Sequence, residues 1–184
     1  MRLEYLAADC SRPLMRLEPL YTLRFFYPQG WSIALAGKKG TEEDHFYFAE
    51  GTCEGRVAGR FRGSNHPHRR TDETFMMNIQ GFIETNDSAL IMLDYQGYGR
   101  STDRSQELYK QTMAANEKTS RRRQVVGFAK HVTDNERYLW LNDAVCAISG
   151  EVRAPLGVPR DQIKQADVKL VFAVSEVIWE SPPE

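Results

Sequence analysis

The chain predicts an all-β fold, an antiparallel β-barrel with one accessory helix, on three observations. Residues 75–97 hold two runs of alternating apolar and polar residues around Asn86-Asp87-Ser88, the pattern of a hairpin. One face carries Met77, Ile79, Ile83, Ile91, Leu93 and Tyr95, and the other carries Asn78, Gln80, Glu84, Met92, Asp94 and Gln96. From residue 45 to residue 61 a second long alternation is punctuated by glycines, which suits the bends by which a sheet curls on itself. Turn signals divide the rest into strand-like runs, about seven to nine in all, at barrel-like spacing. Closure removes exposed edges, so a barrel is preferred to a two-sheet sandwich.

In chain order, residues 1–16 read as a loose arm. Residues 19–27 form a strand stopped by Pro28-Gln29-Gly30, and residues 31–35 a short second one. A polar loop is expected over 37–44, then the glycine-punctuated alternation, then a loop over 63–70 before the hairpin. Residues 101–118 predict a helix: Asp103 and Gln106 make a capping box, and Leu108, Tyr109, Thr112 and Met113 form one stripe. Residues 119–123 read as a polar connector. Strands resume at 124–131, 144–153 and 168–179, with a helical turn over 138–142, and residues 180–184 are a tail. The domain is therefore expected to span 17–179 as one unit.

A chain of 184 residues suits one domain with a real core. Its formal net charge of -1 gives no bulk attraction to nucleic acid or to an anionic membrane. No apolar run reaches the ~20 residues of a membrane helix, and residues 1–5 lack a signal-peptide core. A cytoplasmic protein is the expectation. Cys10, Cys53 and Cys146 are odd in number and scattered, which favours reduced thiols over a disulfide framework.

Several segments resemble a known family. They are Leu17-Glu18-Pro19-Leu20-Tyr21, Glu50-Gly51-Thr52-Cys53-Glu54-Gly55, Thr85-Asn86-Asp87-Ser88-Ala89-Leu90-Ile91, Tyr138-Leu139-Trp140-Leu141-Asn142 and Val174-Ser175-Glu176-Val177. In order and spacing they resemble a domain-of-unknown-function family of small bacterial β-barrels grouped near the allene oxide cyclase-like barrels. The resemblance implies a barrel fold and supplies no activity, although barrels of that kind include cofactor-free cyclases. The chain departs from the family pattern at three places. Asp143 follows the W-L-N, residues 70–73 replace a Gly-Gly-x-Asp-Trp turn, and Asn78 and Gln80 stand where an Asp-x-Arg pair is usual.

Candidate site residues follow from strand phase. Glu176 shares a face with Leu170, Phe172 and Val174, where partial desolvation would suit a carboxyl to proton transfer. Tyr95 lies on the oily face of the hairpin, where a phenol could hold a ligand carbonyl or simply pack in the core. Asn78 and Gln80, with Glu54 and Arg24, face solvent by simple alternation. They would line the lumen only if the barrel turned its polar face inward. Asp72 beside His66-Pro67-His68, and Trp140 and Asn142 of the W-L-N, complete the ligand-binding candidates. The His-Pro-His loop lacks a third fixed ligand, so no metal site is predicted. Hydrolase, NTPase, dinucleotide and zincin motifs do not occur.

These residues predict a small-molecule-binding barrel. The first reading is a cofactor-free isomerase, cyclase or lyase acting by acid–base chemistry on a partly apolar carbonyl or polyketide-like metabolite. Glu176 would be its acid or base, and Tyr95 or Asn78 would polarise an oxygen. The alternative is a non-catalytic carrier of a small apolar ligand. A third reading is a homodimer or other homo-oligomer whose outer oily face is the interface.

Overall fold

The structure, a computed structural model of the chain, describes residues 15–72, 74–99, 120–155 and 164–180. The residues 1–14 of the expected arm, the expected helix over 101–118 and residues 181–184 of the tail lie outside them. The described residues form ten strands: β1 (Met15–Phe26), β2 (Gly30–Gly37), β3 (Gly40–Gly55), β4 (Gly59–Asn65), β5 (His68–Arg69), β6 (Phe75–Thr85), β7 (Leu90–Gly99), β8 (Ser120–Val132), β9 (Cys146–Pro155) and β10 (Lys169–Trp179). Every pairing is antiparallel. The order β1-β10-β9-β8-β7-β6-β4-β3 returns to β1 through a β1–β3 pairing, so the sheet closes on itself. Among the described residues no helix is long and apolar enough to cross a membrane.

β3 has two jobs. Its second half pairs with β1, from Tyr21↔Gly55 to Phe26↔Glu50, and completes the barrel. Its first half pairs with β2, from Gly30↔Tyr47 to Gly37↔Gly40, as a ribbon that also meets β5 at Glu43 and Asp44. The expected loop over 37–44 is thus mostly strand, because residues 41–44 pair with 33–36 and only Lys38 and Lys39 make the turn. The alternation over 45–61 is likewise two strands rather than one. It breaks after Gly55, whose φ of 140° is open to glycine and strained for other residues. The expected loop over 63–70 contains the end of β4 and all of β5, and β8 takes in Ser120 to Arg123 of the expected connector. β1 begins at Met15, opposite Trp179. The turn expected over 138–142 is a 3-10 helix, Glu136–Asn142, capped by the Asn135 side chain.

Strand tilt follows from register. Stepping straight across the sheet from Tyr47 gives Asn65, Ile79, Tyr95, Ala129, Cys146, Glu176 and Glu18. Tyr47 lies at one rim of the barrel and Glu18 near the other, so a line of hydrogen bonds spirals from end to end. That stagger is the geometry of strands inclined to a barrel axis.

The oily phase faces inward. Leu23, Phe25, Phe61, Ile79, Ile91, Leu93, Phe172 and their neighbours are all but fully buried and fill the waist. Phe25 meets Phe61 and Phe172 edge-on, with ring centroids 5.7 and 5.1 Å apart. The inverted arrangement, with Asn78, Gln80, Glu54 and Arg24 lining the lumen, does not occur. Closing the barrel the other way would put those aliphatic and aromatic faces in water, at about 1.5–3 kcal/mol for each large side chain.

Candidate functional site

The two ends of the barrel differ in chemistry. Along β3 the inward phase runs from small residues at Cys53, Gly51 and Ala49 to polar ones at Tyr47, His45 and Glu43. Cross-strand rows bring partners to these three. Gly30, Tyr47 and Asn65 share one row; Ser32 faces His45; Ala34, Glu43, Arg69 and Phe75 share the next. This rim is the polar mouth of the barrel.

His45 is its centre. The Ser32 hydroxyl lies 2.6 Å and the Tyr47 hydroxyl 2.8 Å from His45 Nδ1, and the two hydroxyls are 3.3 Å apart. On the other side of the ring, Nε2 lies 3.5 Å from Glu43 Oε2. Glu43 is ion-paired with Arg69 across the β3–β5 ladder. Side-chain exposures of 7% for His45, 8% for Arg69 and 19% for Glu43 place this charge pair out of water, where its geometry is held tightly. A neutral ring whose Nδ1 accepts from a hydroxyl would carry its proton on Nε2, towards the carboxylate.

Backbone pairing explains the short Ser32 contact. The His45 N–H donates to Pro67 O at 3.0 Å, on the β5 side of β3. The Ser32↔His45 pair is therefore of the non-hydrogen-bonded kind, in which facing side chains stand closest.

Aromatic rings wall the mouth. Tyr27 stacks on Tyr47 with centroids 4.6 Å apart, and Phe75 tilts against His45 at 5.7 Å. Fully buried Asn65 ties wall to floor: its Nδ2 donates to Tyr27 Oη at 2.6 Å, and its Oδ1 accepts from the Asn78 N–H at 3.2 Å. Burial drives the Tyr27 phenol pKa well upward, so the hydroxyl stays protonated.

The opposite end holds a buried pair. Tyr21 Oη and His131 Nε2 are 2.6 Å apart, and neither residue is more than 4% exposed. Desolvation raises the Tyr21 pKa and lowers that of His131 to about 4. A protonated phenol donating to Nε2 leaves, among the described residues, the Nδ1–H of the pair unmatched, the arrangement with fewest unmet groups. Cys53 and Cys146 lie beside the pair, their thiols pushed up by burial to about 12 and about 11.

The residues singled out in the sequence do not assemble into one site. Tyr95 is in the waist, its ring 5.3 Å from Phe172. Asn78 is on the outer face of the same hairpin, so the two point to opposite sides of the sheet. Glu176 is half-buried next to Cys146 at the end away from the mouth. Arg24 and Glu54 form a diagonal ion pair at 3.9 Å on the outer surface, and Gln80 is exposed there too. Asp72 pairs with Arg70 and accepts from the Thr74 N–H in a surface loop. Trp140 is half-buried with the Arg56 guanidinium 4.4 Å above its ring. Asn142 bonds the Thr133 backbone twice, at 2.8 and 2.9 Å, a structural role. His66 and His68 bond Ser64 and Asp44 respectively. Among the described residues no group of three or more His, Cys, Asp or Glu side chains is placed to hold a metal ion.

The mouth residues went unread although a signal existed. Glu43, His45 and Tyr47 share the period-two phase of Ala49 and Cys53, so an inward face turning polar was visible in the alternation itself. Their union with Ser32, Asn65 and Arg69 depends on register, which only the folded chain supplies.

Fold and mouth together define a closed antiparallel barrel with a packed waist and one polar, aromatic-walled end. The chain belongs to the protein family of unknown function DUF3237, whose sequence pattern matches residues 15–164. A β-barrel-like protein from Acinetobacter baumannii shares the fold at 18% identity and a TM-score of 0.60, over 92% of this chain and 100% of that one. A conserved protein of unknown function from Rhodopseudomonas palustris is similar at 15% identity and 0.61, over 91% and 100%. An enzyme from Penicillium herquei matches at 17% identity and 0.51, over 89% and 98%. No functionally curated protein matches the chain in sequence.

Proposed function

We propose that the barrel is a cofactor-free enzyme that moves a proton on a small, partly apolar carbonyl compound, as an isomerase, cyclase or lyase. The observation that carries this reading is the setting of His45: hydroxyls on one ring nitrogen, a carboxylate facing the other, at a barrel mouth walled by aromatic rings. Barrel mouths are common small-molecule sites.

In this reading His45 takes a proton from the carbon next to the carbonyl and returns it at a second atom. Glu43, held by Arg69, stabilises the imidazolium that forms in between. Tyr47 or Ser32 donates to the carbonyl oxygen as negative charge builds on it. Tyr27 and Phe75 hold the apolar part of the substrate against the acid–base group. The Penicillium herquei neighbour is described as an enzyme, so barrels of this shape are compatible with catalysis.

The test uses 3-cyclohexenone, whose double bond must migrate through an enol to give the conjugated ketone. Absorbance of the product should rise faster with the protein than without it. His45→Gln should slow that rise by about 100-fold or more, with the fold intact by circular dichroism. Equal rates for His45→Gln and the unaltered chain would remove His45 from the reaction.

A further inference from the structure

We infer that Ser32 is a nucleophile, and that the mouth cleaves small neutral esters or lactones through an acyl-Ser32 intermediate. The inference rests on the reading of the mouth as a site worked by His45, and takes it from carbon acids to a hydroxyl. A nucleophilic serine needs a base within hydrogen-bond reach, and that base needs a third group to orient it. Ser32 Oγ stands 2.6 Å from His45 Nδ1, and Glu43 Oε2 lies 3.5 Å from Nε2. The carboxylate is itself pinned by Arg69. Of the two hydroxyls on Nδ1, Ser32 belongs to the exposed residue, so it is the one a substrate can reach.

Backbone direction adds an electrophilic partner. Because Ser32↔His45 is a non-hydrogen-bonded pair, the Ser32 N–H points to the outer edge of β2, which pairs with no other strand among the described residues. A donor on the nucleophile's own residue is a recurrent part of oxyanion stabilisation. The bases of β2 and β3 are held by the barrel, so the array sits on strands rather than on a loop.

The step balances with water as the only co-reactant. Ser32 Oγ bonds to the ester carbon, the carbonyl π pair moves to oxygen, and the Oγ proton passes to His45 Nδ1. Collapse of that adduct breaks the bond to the leaving oxygen, which takes the proton from His45. Water then attacks the acyl-serine, giving a proton to His45, and Oγ recovers it as the acid departs. Tyr27 and Phe75 suit a substrate with an aromatic or short apolar acyl group, and the Arg69–Glu43 pairing favours one without charge.

The experiment treats the full folded chain with a biotin-tagged fluorophosphonate, which bonds an activated serine with loss of fluoride, and maps the adduct by mass spectrometry. The adduct should fall on Ser32, vanish in Ser32→Ala and form about 100-fold more slowly in His45→Gln. Hydrolysis of 4-nitrophenyl butyrate should follow the same order. No adduct on Ser32 in the unaltered chain, or an unchanged rate in His45→Gln, would overturn the inference. If the unaltered chain takes no label yet still isomerises 3-cyclohexenone, the nucleophile alone falls. If it does neither, the reading of the mouth falls with it.

Discussion

The hydroxyl of Tyr95 fills the space that a β-carbon on Gly97 would need, since the two atoms would lie 2.1 Å apart. A β-carbon on Gly127, on the next strand, would come within 2.8 Å of the same ring at Cε2. The ring therefore lies down across two adjacent strands, and glycine is the only residue that leaves it room.

Two substitutions separate the ring from its hydroxyl. Gly97→Ala should cost about 3 kcal/mol, the upper end of overpacking, because strand backbone also stands close by. Tyr95→Phe should be neutral or stabilising by up to about 1 kcal/mol, since the buried hydroxyl has no hydrogen-bond partner among the described residues. Urea unfolding midpoints decide both. A loss above about 1 kcal/mol for Tyr95→Phe would mean that the hydroxyl is engaged.

The Tyr21–His131 pair makes stability depend on pH in a defined direction. His131 takes a proton near its ordinary 6.5 in the unfolded chain and only near about 4 in the folded one. Between those values the unfolded state binds more protons, so acid favours unfolding. The contribution is complete above pH 6.5 and is lost as pH falls towards 4, on the order of 3 kcal/mol in all. The double variant Tyr21→Phe/His131→Phe should flatten that part of the stability–pH curve. An unchanged slope would assign the acid sensitivity to other groups.

Thiol chemistry should be silent in the folded state. Cys53 and Cys146 are buried, with thiols at about 12 and about 11, so thiolate is scarce at neutral pH. In a Cys10→Ala background, Ellman's reagent should release no colour within minutes from the native protein and two equivalents in denaturant. Prompt release of one equivalent from the native protein would point to a reactive cysteine.

The ion pair under His45 should be asymmetric to dissection. Arg69→Met leaves the Glu43 charge in a nearly dry setting and should cost about 3–5 kcal/mol. Adding Glu43→Gln should restore part of that loss, because no charge is then stranded. A double-mutant cycle by chemical denaturation measures the coupling. Additive losses would mean that the two side chains act independently.

The scaffold was legible in the sequence because period-two patterning is local. The phase that holds Met77, Ile79, Ile83, Ile91 and Leu93 became the barrel interior as expected, and Trp140 sits at a helical turn as expected. Lengths and breaks were less legible. Glycines at 51, 55 and 59 look alike in sequence, yet only Gly55 takes the positive φ that ends a strand there. The site was the least legible part. Ser32, His45 and Arg69 meet through cross-strand register, and a slip of one residue would turn each to the other face. Glu176 and Tyr95 are kept apart for a related reason. Both are inward on their strands, but strand tilt carries them along the axis to different heights.

β3 hands its first half to the ribbon and its second half to the barrel. Ser32, Glu43 and His45 all reside on that ribbon, while the residues that hold the barrel shut lie beyond it. The proposed chemistry and the closure of the barrel are thus carried by different stretches of one strand. A substitution at Ser32 or His45 therefore falls outside the β1–β3 seam, whereas one at Glu43 also touches the barrel wall through Arg69.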